Sequence, residues 1–344
     1  MLHISDKKNF DYNLLLDTAR SSGIHINKNL FIKKIADGNY GVFTSGEINT
    51  NNKIISIPKK FLISQSVIKD FINEKEIEYP YPNILKLYCS SLPNFEYFKK
   101  NHIAFANDEQ KKQILNFFIE QSPTRRKIKS FFDYIDKLDS TEKYLFLIFR
   151  SRAFNFENSS YLVPVLDMVN YKFGEVRALT DKQEIYFKNK EILNPNDQFF
   201  QGYEVHSDII SFFLQFNFIP ENFNLISIPP NFFSLKIPQN TEDKINLNYW
   251  NIKNGIISNK LYIVFEDLKL PLEFKLETSK IIKNSSVFNK VLNSILDLLK
   301  NEINYENLSE FLKKETEDYK IINFAKVVQM NYSKISDAQK NLIF

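Results

Sequence analysis

The pattern of apolar and polar positions changes along the chain from helical to extended and back. Residues 9–23 carry apolar positions at helical spacing, and Gly23 predicts the end of this helix. Short apolar runs that predict strands follow at 30–32, 41–44 and 54–58. The segment 37–41, which lies between the first two runs, has the composition of a turn.

Prolines interrupt the next region, 61–139, and separate several segments of helical period. We interpret this region as a mainly helical insertion. Residues 139–142 have the sequence of a capping box, and they open a strong helix over 140–154. The apolar run 144–149 covers most faces of that helix, so we expect it to lie deep in the core.

After this helix the pattern becomes extended again and then returns to helical. Short strands and turns are predicted from 161 to about 203, a short helix over 207–216, extended structure over 233–275 and helices beyond. The mixture predicts an α+β fold. We divide the chain into a β-rich domain in two parts, an insertion and a mainly helical C-terminal domain, with bounds at 1–60, 61–139, 140–230 and 231–344.

The composition mainly excludes classes of protein. The chain has 344 residues, of which 43% are apolar and 25% charged, as in soluble globular proteins. A net charge of +4 is too small to indicate a nucleic-acid partner. No apolar run approaches the roughly 20 residues that span a bilayer. We expect a soluble cytoplasmic monomer without membrane or nucleic-acid partners; a nuclear location is compatible with the same composition.

Cysteine and histidine contents exclude two kinds of site. Cys89 is the one cysteine, so neither an internal disulfide nor a thiolate zinc site can form. The four histidines are scattered without the spacing of metal ligands. We therefore expect no metal cofactor.

Two stretches flank the middle of the chain with candidate ligand groups. Gly38 and Gly41 enclose Asn39-Tyr40, which fits either an ordinary turn or a close backbone approach to a ligand. The spacing is that of neither a dinucleotide loop nor a P-loop. Arg152 ends the buried helix, where a guanidinium requires an anion, either a structural carboxylate or a ligand.

A second group of candidates follows the apolar run 162–166. Asp167 ends that run and must be paired or hydrogen-bonded, and Asn170 adds an amide three residues later. A carboxylate, an amide and an arginine suit a zwitterionic ligand. Tyr203 follows Gly202 at the end of another apolar strand, where a tyrosine serves packing or chemistry. No Gly-x-Ser-x-Gly motif indicates a hydrolase.

Taken together, these stretches resemble the SET-domain protein methyltransferases, in the branch typified by plant Rubisco large-subunit methyltransferase. The resemblance covers nearly the whole chain and is strongest at 151–154, 163–170 and 216–222. It implies a SET-domain β-fold of small twisted sheets with a helical insertion, followed by a mainly helical substrate-binding domain. It also implies S-adenosyl-L-methionine as cofactor and a lysine of a protein as substrate.

The resemblance assigns a role to each candidate residue. Asn39, Tyr40 and Gly41 match the loop that contacts the cofactor through its backbone. Arg152 matches the residue that holds the methionine end, Asn170 and Tyr171 match the adenosine site, and Asp167 supports that segment. Tyr203 matches the catalytic tyrosine at the methyl-transfer centre. The predicted walls of the substrate channel are Phe200, Phe216 and Phe218.

The chain departs from the family pattern at four places, which keeps two alternative functions open. Tyr171 stands where histidine is usual, Glu204 where many members have glycine, Phe216 where tyrosine is usual, and Asp208-Ile209 where Ser-Asn is usual. One alternative is a protein-histidine methyltransferase, because a relative in this branch modifies histidine. The other is an inactive SET fold that binds a peptide. Mass spectrometry of the modified residue separates the acceptors, and calorimetry with the cofactor tests for inactivity.

Overall fold

The computed structural model describes residues 10–36, 39–172, 175, 177–202, 208–219, 225–228, 234–236, 250–253, 256–259, 263–266, 276, 285–314 and 318–341. These residues form helices and small sheets, so the predicted α+β class is confirmed. The chain folds as two compact units. The first contains Met1–Phe98 and Leu138–Glu204, and the second contains Lys99–Lys137 and Val205–Phe344.

The α-helices of the described residues are α1 (Tyr12–Ser21), α2 (Gln65–Ile72), α3 (Pro82–Ser91), α4 (Phe95–Asn101), α5 (Asp108–Leu115), α6 (Pro123–Ile135), α7 (Ser140–Arg152), α8 (Ile209–Phe216), α9 (Ser285–Asn301), α10 (Tyr305–Lys313) and α11 (Tyr319–Asn341). The strands are β1 (His25–Ile26), β2 (Leu30–Ala36), β3 (Asn39–Thr44), β4 (Lys53–Pro58), β5 (Phe154–Phe156), β6 (Ser159–Tyr161), β7 (Asn170–Tyr171), β8 (Leu179–Thr180), β9 (Glu184–Lys188), β10 (Gln198–Gln201), β11 (Leu225–Ile228), β12 (Ser234–Lys236), β13 (Trp250–Lys253), β14 (Ile256–Asn259) and β15 (Ile263–Glu266). In the described part of the chain, no helix has both the length and the apolar character that crossing a membrane requires.

Two four-stranded sheets form the framework of the first unit. One has the order β1-β4-β9-β8 with antiparallel neighbours throughout. The other has the order β2-β3-β10-β7, in which β10 runs antiparallel to β3 but parallel to β7. Because β10 lies between β3 and β7, strands from distant parts of the sequence become neighbours in one sheet.

The first helix begins and ends at residues that the local sequence specifies. The Asp11 side chain accepts hydrogen bonds from the main-chain N–H groups of Asn13 and Leu14, at 3.0 and 3.2 Å. Gly23 follows the helix with φ +94°, a left-handed conformation that glycine adopts without strain. Its position lets Ile24 N–H donate back to Ala19. The predicted helix and its glycine stop are confirmed.

The three predicted strands near the start lie within β2, β3 and β4, and the predicted turn at 37–41 needs correction. Strand β3 begins at Asn39, which pairs with Ala36 of β2. Residues 39–41 are therefore extended, because pairing with the preceding strand continues up to the connection. Asp37 and Gly38, which complete the predicted turn, lie outside the described residues.

The helical character of the region 61–139 is confirmed, since α2 to α6 fall within it. The predicted capping box is also present. Asp139 Oδ1 accepts from the N–H of Glu142 at 2.8 Å, and Glu142 Oε2 accepts from the N–H of Asp139 at 3.3 Å. The helix that follows, α7, buries Tyr144, Leu145, Leu147 and Ile148. Phe146 and Phe149 of the same apolar run are only half-buried, so burial on most faces, which the run predicted, is found on one face.

The second unit is organised around its last helix. Helix α11 packs against α5, α8, α9 and α10. The ring of Phe324 on α11 is fully buried and lies 6.4 Å from the ring of Phe118 and 6.0 Å from that of Phe213. Ile321 and Val328 are buried on the same helix, so its buried positions follow helical spacing.

Replacing Asp139 by alanine removes the cap of α7 and should destabilise the first unit by about 1 kcal/mol. Urea unfolding followed by circular dichroism measures this as a lower transition midpoint. Asp133→Ala is the matched control, because Asp133 forms an exposed ion pair with Lys129 on α6 and should change stability by less than about 0.5 kcal/mol. Equal midpoints for Asp139→Ala and the unchanged protein would contradict the capping role.

Candidate functional site

A buried carboxylate lies where the apolar run 162–166 ends. The run is buried, and the chain then enters a short 3-10 turn at Leu166–Met168. Val165, directly before the turn, has φ +75°, a strained conformation for a β-branched residue. Asp167 lies within the turn, and its side chain is only 1% exposed. A charge at such a place requires donors or a counter-ion.

Two donors from different helices meet at one oxygen of this carboxylate. Tyr88 Oη, from α3, donates to Asp167 Oδ2 at 2.7 Å. Arg152 Nη1, from the end of α7, donates to the same oxygen at 3.2 Å and to the Asp167 main-chain carbonyl at 3.4 Å. Tyr88 is fully buried, whereas 28% of the Arg152 side chain is exposed. The guanidinium thus connects a buried anion to the accessible surface.

The burial of this cluster perturbs both of its acidic groups. Desolvation raises the pKa of Asp167 above its ordinary value of 3.8, and the charge of Arg152 and the hydrogen bond from Tyr88 oppose that rise without cancelling it. Burial, followed by the charge of Asp167, raises the pKa of Tyr88 well above 10.0. Tyr88 is therefore a protonated donor throughout the physiological range.

A second interaction connects two strands, β3 and β7, of the sheet β2-β3-β10-β7. Asn170 Nδ2, on β7, donates to the main-chain carbonyl of Tyr40, on β3, at 2.8 Å. Strand β10 lies between them, with Phe200 paired to Asn170. Gln201 Nε2 donates to the carbonyl of Val169 at 2.7 Å and holds the segment before β7. Three of the predicted site residues, Tyr40, Asn170 and Phe200, are thereby brought together.

Tyr12, at the start of α1, connects the sheet to the buried cluster. Its ring centroid lies 4.2 Å from that of Tyr40. Burial and Tyr40 raise the pKa of Tyr12, while the positive charge of Arg152 lowers it and Asp167 raises it. The phenol therefore lies within electrostatic reach of the ion pair. Tyr40, Arg152, Asp167 and Asn170 form one neighbourhood, with Tyr12 beside it.

The ends of two side chains lie in the space that a side chain at Gly41 would enter. A Cβ at this position would lie 2.5 Å from Gln198 Nε2 and 2.8 Å from Ile35 Cδ1. Gln198 Nε2 is buried and has no hydrogen-bond partner among the described residues. The approach of a ligand to this backbone, which the sequence suggested, stays a prediction.

The structure describes only part of the predicted site. The predicted catalytic residue, Tyr203, lies outside the described residues, as do Gly38 and Glu204. Asn39 and Tyr171 are described only through their backbones, as the first residue of β3 and the last of β7. The roles that the resemblance gives to these residues stay predictions.

The three predicted channel residues fall in different parts of the fold. Phe200 belongs to the first unit, is half-buried on β10, and has Lys172 Nζ 5.3 Å from its ring centroid. Phe216 and Phe218 belong to the second unit, where their ring centroids lie 4.5 and 5.6 Å from that of Phe212. Phe218 is 42% exposed.

Other polar clusters of the described residues offer less. No group of three or more histidine, cysteine, aspartate or glutamate side chains in the described ranges could hold a metal ion. An open depression of about 540 Å³ lies on the other sheet of the first unit. Its charged groups already bind each other, because Lys53 and Ser56 both donate to Glu184. The residues that line it are His25, Asn27, Asn52, Lys53, Ser56 and Glu184.

Tyr88 and Tyr12 are the members of the neighbourhood that the sequence analysis missed. Neither belongs to a recognisable motif, and their partners are distant in sequence. One signal was available for Tyr88: a tyrosine at an apolar helical position usually needs a hydrogen-bond partner when it is buried. The sequence alone does not say that Asp167 is that partner.

This architecture is that of the SET-domain fold found in Rubisco methyltransferase structures. Similar solved structures include the SET domain of LSMT bound to lysine and AdoHcy, with TM-score 0.57 and 12% identity over 96% of this chain and 91% of that one. The structure of Rubisco LSMT bound to sinefungin and monomethyllysine has a TM-score of 0.56 and 13% identity, over 96% of this chain and 91% of that one. The structure of Rubisco LSMT bound to AdoMet has a TM-score of 0.52 and 14% identity, over 95% of this chain and 92% of that one. At these identities the likeness is one of fold.

Two further comparisons give no match. No model of a protein family matches the sequence, and no curated protein is significantly similar to it. The predicted fold, a SET domain followed by a helical C-terminal region, is nevertheless confirmed by the structural likeness and by the helices α9 to α11.

Asp167→Asn should change how stability depends on pH. The raised pKa means that folded protein binds a proton more readily than unfolded protein between pH 3.8 and the higher folded value. The free energy of unfolding should therefore fall as pH rises through this window in the unchanged protein, and this contribution should vanish in the variant. Urea unfolding of both proteins at a series of pH values, from about pH 3.5, below the ordinary carboxyl pKa, upwards to neutral pH, measures the difference. A difference that moves in favour of the unchanged protein as pH rises would contradict the assignment.

Proposed function

We propose that this protein is an S-adenosylmethionine-dependent methyltransferase that modifies a lysine side chain of a protein. One observation carries the proposal: within a SET-domain fold, Arg152, Asp167, Asn170 and the Tyr40 backbone converge on one neighbourhood. These are the positions that the sequence resemblance assigns to the cofactor. The similar Rubisco LSMT structures were solved with AdoMet, AdoHcy, lysine or monomethyllysine, which supports the same class of ligands here.

The chemistry of these residues fits the cofactor. Arg152 is partly exposed, and its guanidinium suits the carboxylate of a methionine end. Asp167 Oδ1 is buried and has no hydrogen-bond partner among the described residues. This oxygen is therefore able to accept from a further donor or cation. The hydrogen bond from Asn170 Nδ2 to the Tyr40 carbonyl fixes β7 beside the start of β3, where the resemblance places the adenosine. The bound cofactor would supply a sulfonium-activated methyl group.

The remaining predicted residues would prepare the acceptor. A free lysine has a pKa of about 10.4 and must lose its proton before it can attack. An aromatic channel desolvates the ammonium and lowers that pKa, and Phe200 in the first unit is proposed to line it. The same role for Phe216 and Phe218 stays a prediction from the resemblance. The hydroxyl of Tyr203 would orient the acceptor nitrogen in line with the methyl group. A histidine acceptor, with a pKa of about 6.5, would need no such desolvation.

The partners and the location follow from the same proposal. The substrate would be a protein, and we propose that the enzyme acts as a monomer in the cytoplasm.

Tyr203→Phe should lower the rate of methyl transfer by about 100-fold, because the acceptor loses the hydroxyl that orients it. The measurement is labelling of a cell extract with methyl-labelled S-adenosylmethionine, together with calorimetry for cofactor affinity. Affinity should stay within about twofold, since the lost hydroxyl would act on the acceptor. Mass spectrometry of the labelled protein identifies lysine or histidine.

The control for this variant is Tyr319→Phe, which removes the hydroxyl of a tyrosine that is 55% exposed at the start of α11. It should label at the unchanged rate. Equal labelling by Tyr203→Phe and the unchanged protein would show that the assigned centre is wrong. Failure of the unchanged protein to bind the cofactor would favour the inactive peptide-binding alternative.

A further inference from the structure

Tyr88 is a buried side chain whose hydroxyl group needs an explanation. It lies on α3 with no exposure to solvent, and it is among the largest fully buried side chains of the described residues. A phenylalanine would fill nearly the same space without a polar group. Within the described part of the chain the hydroxyl makes one hydrogen bond, of 2.7 Å, to Asp167 Oδ2. The function of Tyr88 is therefore to be sought at that carboxylate.

The carboxylate is held mainly through this one oxygen. Oδ2 accepts from Tyr88 at 2.7 Å and from Arg152 at 3.2 Å, whereas Oδ1 has no partner in the described ranges. Tyr88 makes the shorter of the two bonds and is itself fixed by core packing. Arg152 is a long side chain that is partly exposed, so its own packing fixes it less. Tyr88 therefore fixes the position of Asp167, and Asp167 in turn fixes that of Arg152.

We propose that Tyr88 is a positioning residue: through Asp167 it holds the guanidinium of Arg152 in the orientation that binds the carboxylate of the ligand. This inference rests on the proposed function, because it takes the ligand to carry an amino-acid carboxylate. Tyr88 touches neither the ligand nor the reacting atoms. Its hydroxyl fixes the anion, and the anion fixes the cation.

A purely structural role for Tyr88 predicts a different result. A hydroxyl that only stabilises the core affects all ligands alike, through the amount of folded protein. A hydroxyl that orients Arg152 affects only ligands whose carboxylate meets that arginine. Two available ligands differ in this respect. S-Adenosylhomocysteine carries the amino-acid end, and 5′-methylthioadenosine has the same nucleoside without it.

The test compares the binding of both ligands to Tyr88→Phe by calorimetry. The Kd of S-adenosylhomocysteine should rise at least about fivefold, because Asp167 loses the hydrogen bond that fixes it and then orients Arg152 less well. The Kd of 5′-methylthioadenosine should stay within about twofold, since Arg152 does not contact it. In Arg152→Lys, the further change Tyr88→Phe should then have a smaller effect on S-adenosylhomocysteine, as two positions acting on one contact are not additive.

Tyr79→Phe is the matched control. Tyr79 lies in the same unit, is 9% exposed and donates one hydrogen bond, to the carbonyl of Phe61 at 2.9 Å. The substitution removes a buried hydroxyl of the same kind at a place without contact to Arg152. Both variants should lower the melting temperature, and only Tyr88→Phe should separate the two ligands. If Tyr88→Phe does not fold, Asp167→Asn tests the same series of contacts. It should also weaken the binding of S-adenosylhomocysteine more than that of 5′-methylthioadenosine.

The outcomes distinguish this inference from the proposal on which it rests. If the unchanged protein binds both ligands and Tyr88→Phe weakens both equally, or neither, the positioning role is wrong and the proposed function stands. If the unchanged protein binds neither ligand, the proposed function is wrong and the inference falls with it. If Tyr88→Phe weakens the binding of S-adenosylhomocysteine alone and Tyr79→Phe does not, the result supports both the positioning role and the proposed function.

Discussion

The ion pair of Arg152 with Asp167 is the interaction on which the described site depends. Asp167 is almost entirely removed from water, and an ionised carboxylate in such a place is costly unless donors surround it. The donors come from α3 and α7, and the carboxylate comes from the turn after β6. These three segments must therefore meet before the charge can be buried. Burial still raises the pKa of Asp167, so its ionised form is disfavoured in the folded protein. We therefore interpret the ion pair as an interaction that positions Arg152 and not as one that stabilises the fold.

The second constraint is the place of β10 in its sheet. By pairing with β3 on one side and β7 on the other, it brings the Tyr40 carbonyl within hydrogen-bond distance of Asn170. Tyr12 closes this arrangement from α1, with its ring on Tyr40 and its phenol near the ion pair. The sheet and the ion pair thus share one set of neighbours. A cofactor with a charged end and an uncharged nucleoside would find both kinds of partner there.

The sequence predicts those features whose information is local. The capping box at Asp139 and the glycine stop at Gly23 each depend on a few adjacent residues, and both are confirmed. The site required more. Asp167 was recognisable as a carboxylate that needs a partner, but its partner Tyr88 lies 79 residues away on a helix without a motif. The positive φ of Val165 could not be expected from a β-branched residue. Tertiary contacts determine such features, and a single sequence does not show which distant residues come into contact.

The most direct test of the account is a crystal structure of the protein with S-adenosylhomocysteine. The account predicts density for the ligand in the first unit, with its carboxylate against Arg152 and its nucleoside beside Asn170 and the backbone of Tyr40. Density in the depression around Lys53 and Glu184 instead, with Arg152 away from the ligand, would contradict it.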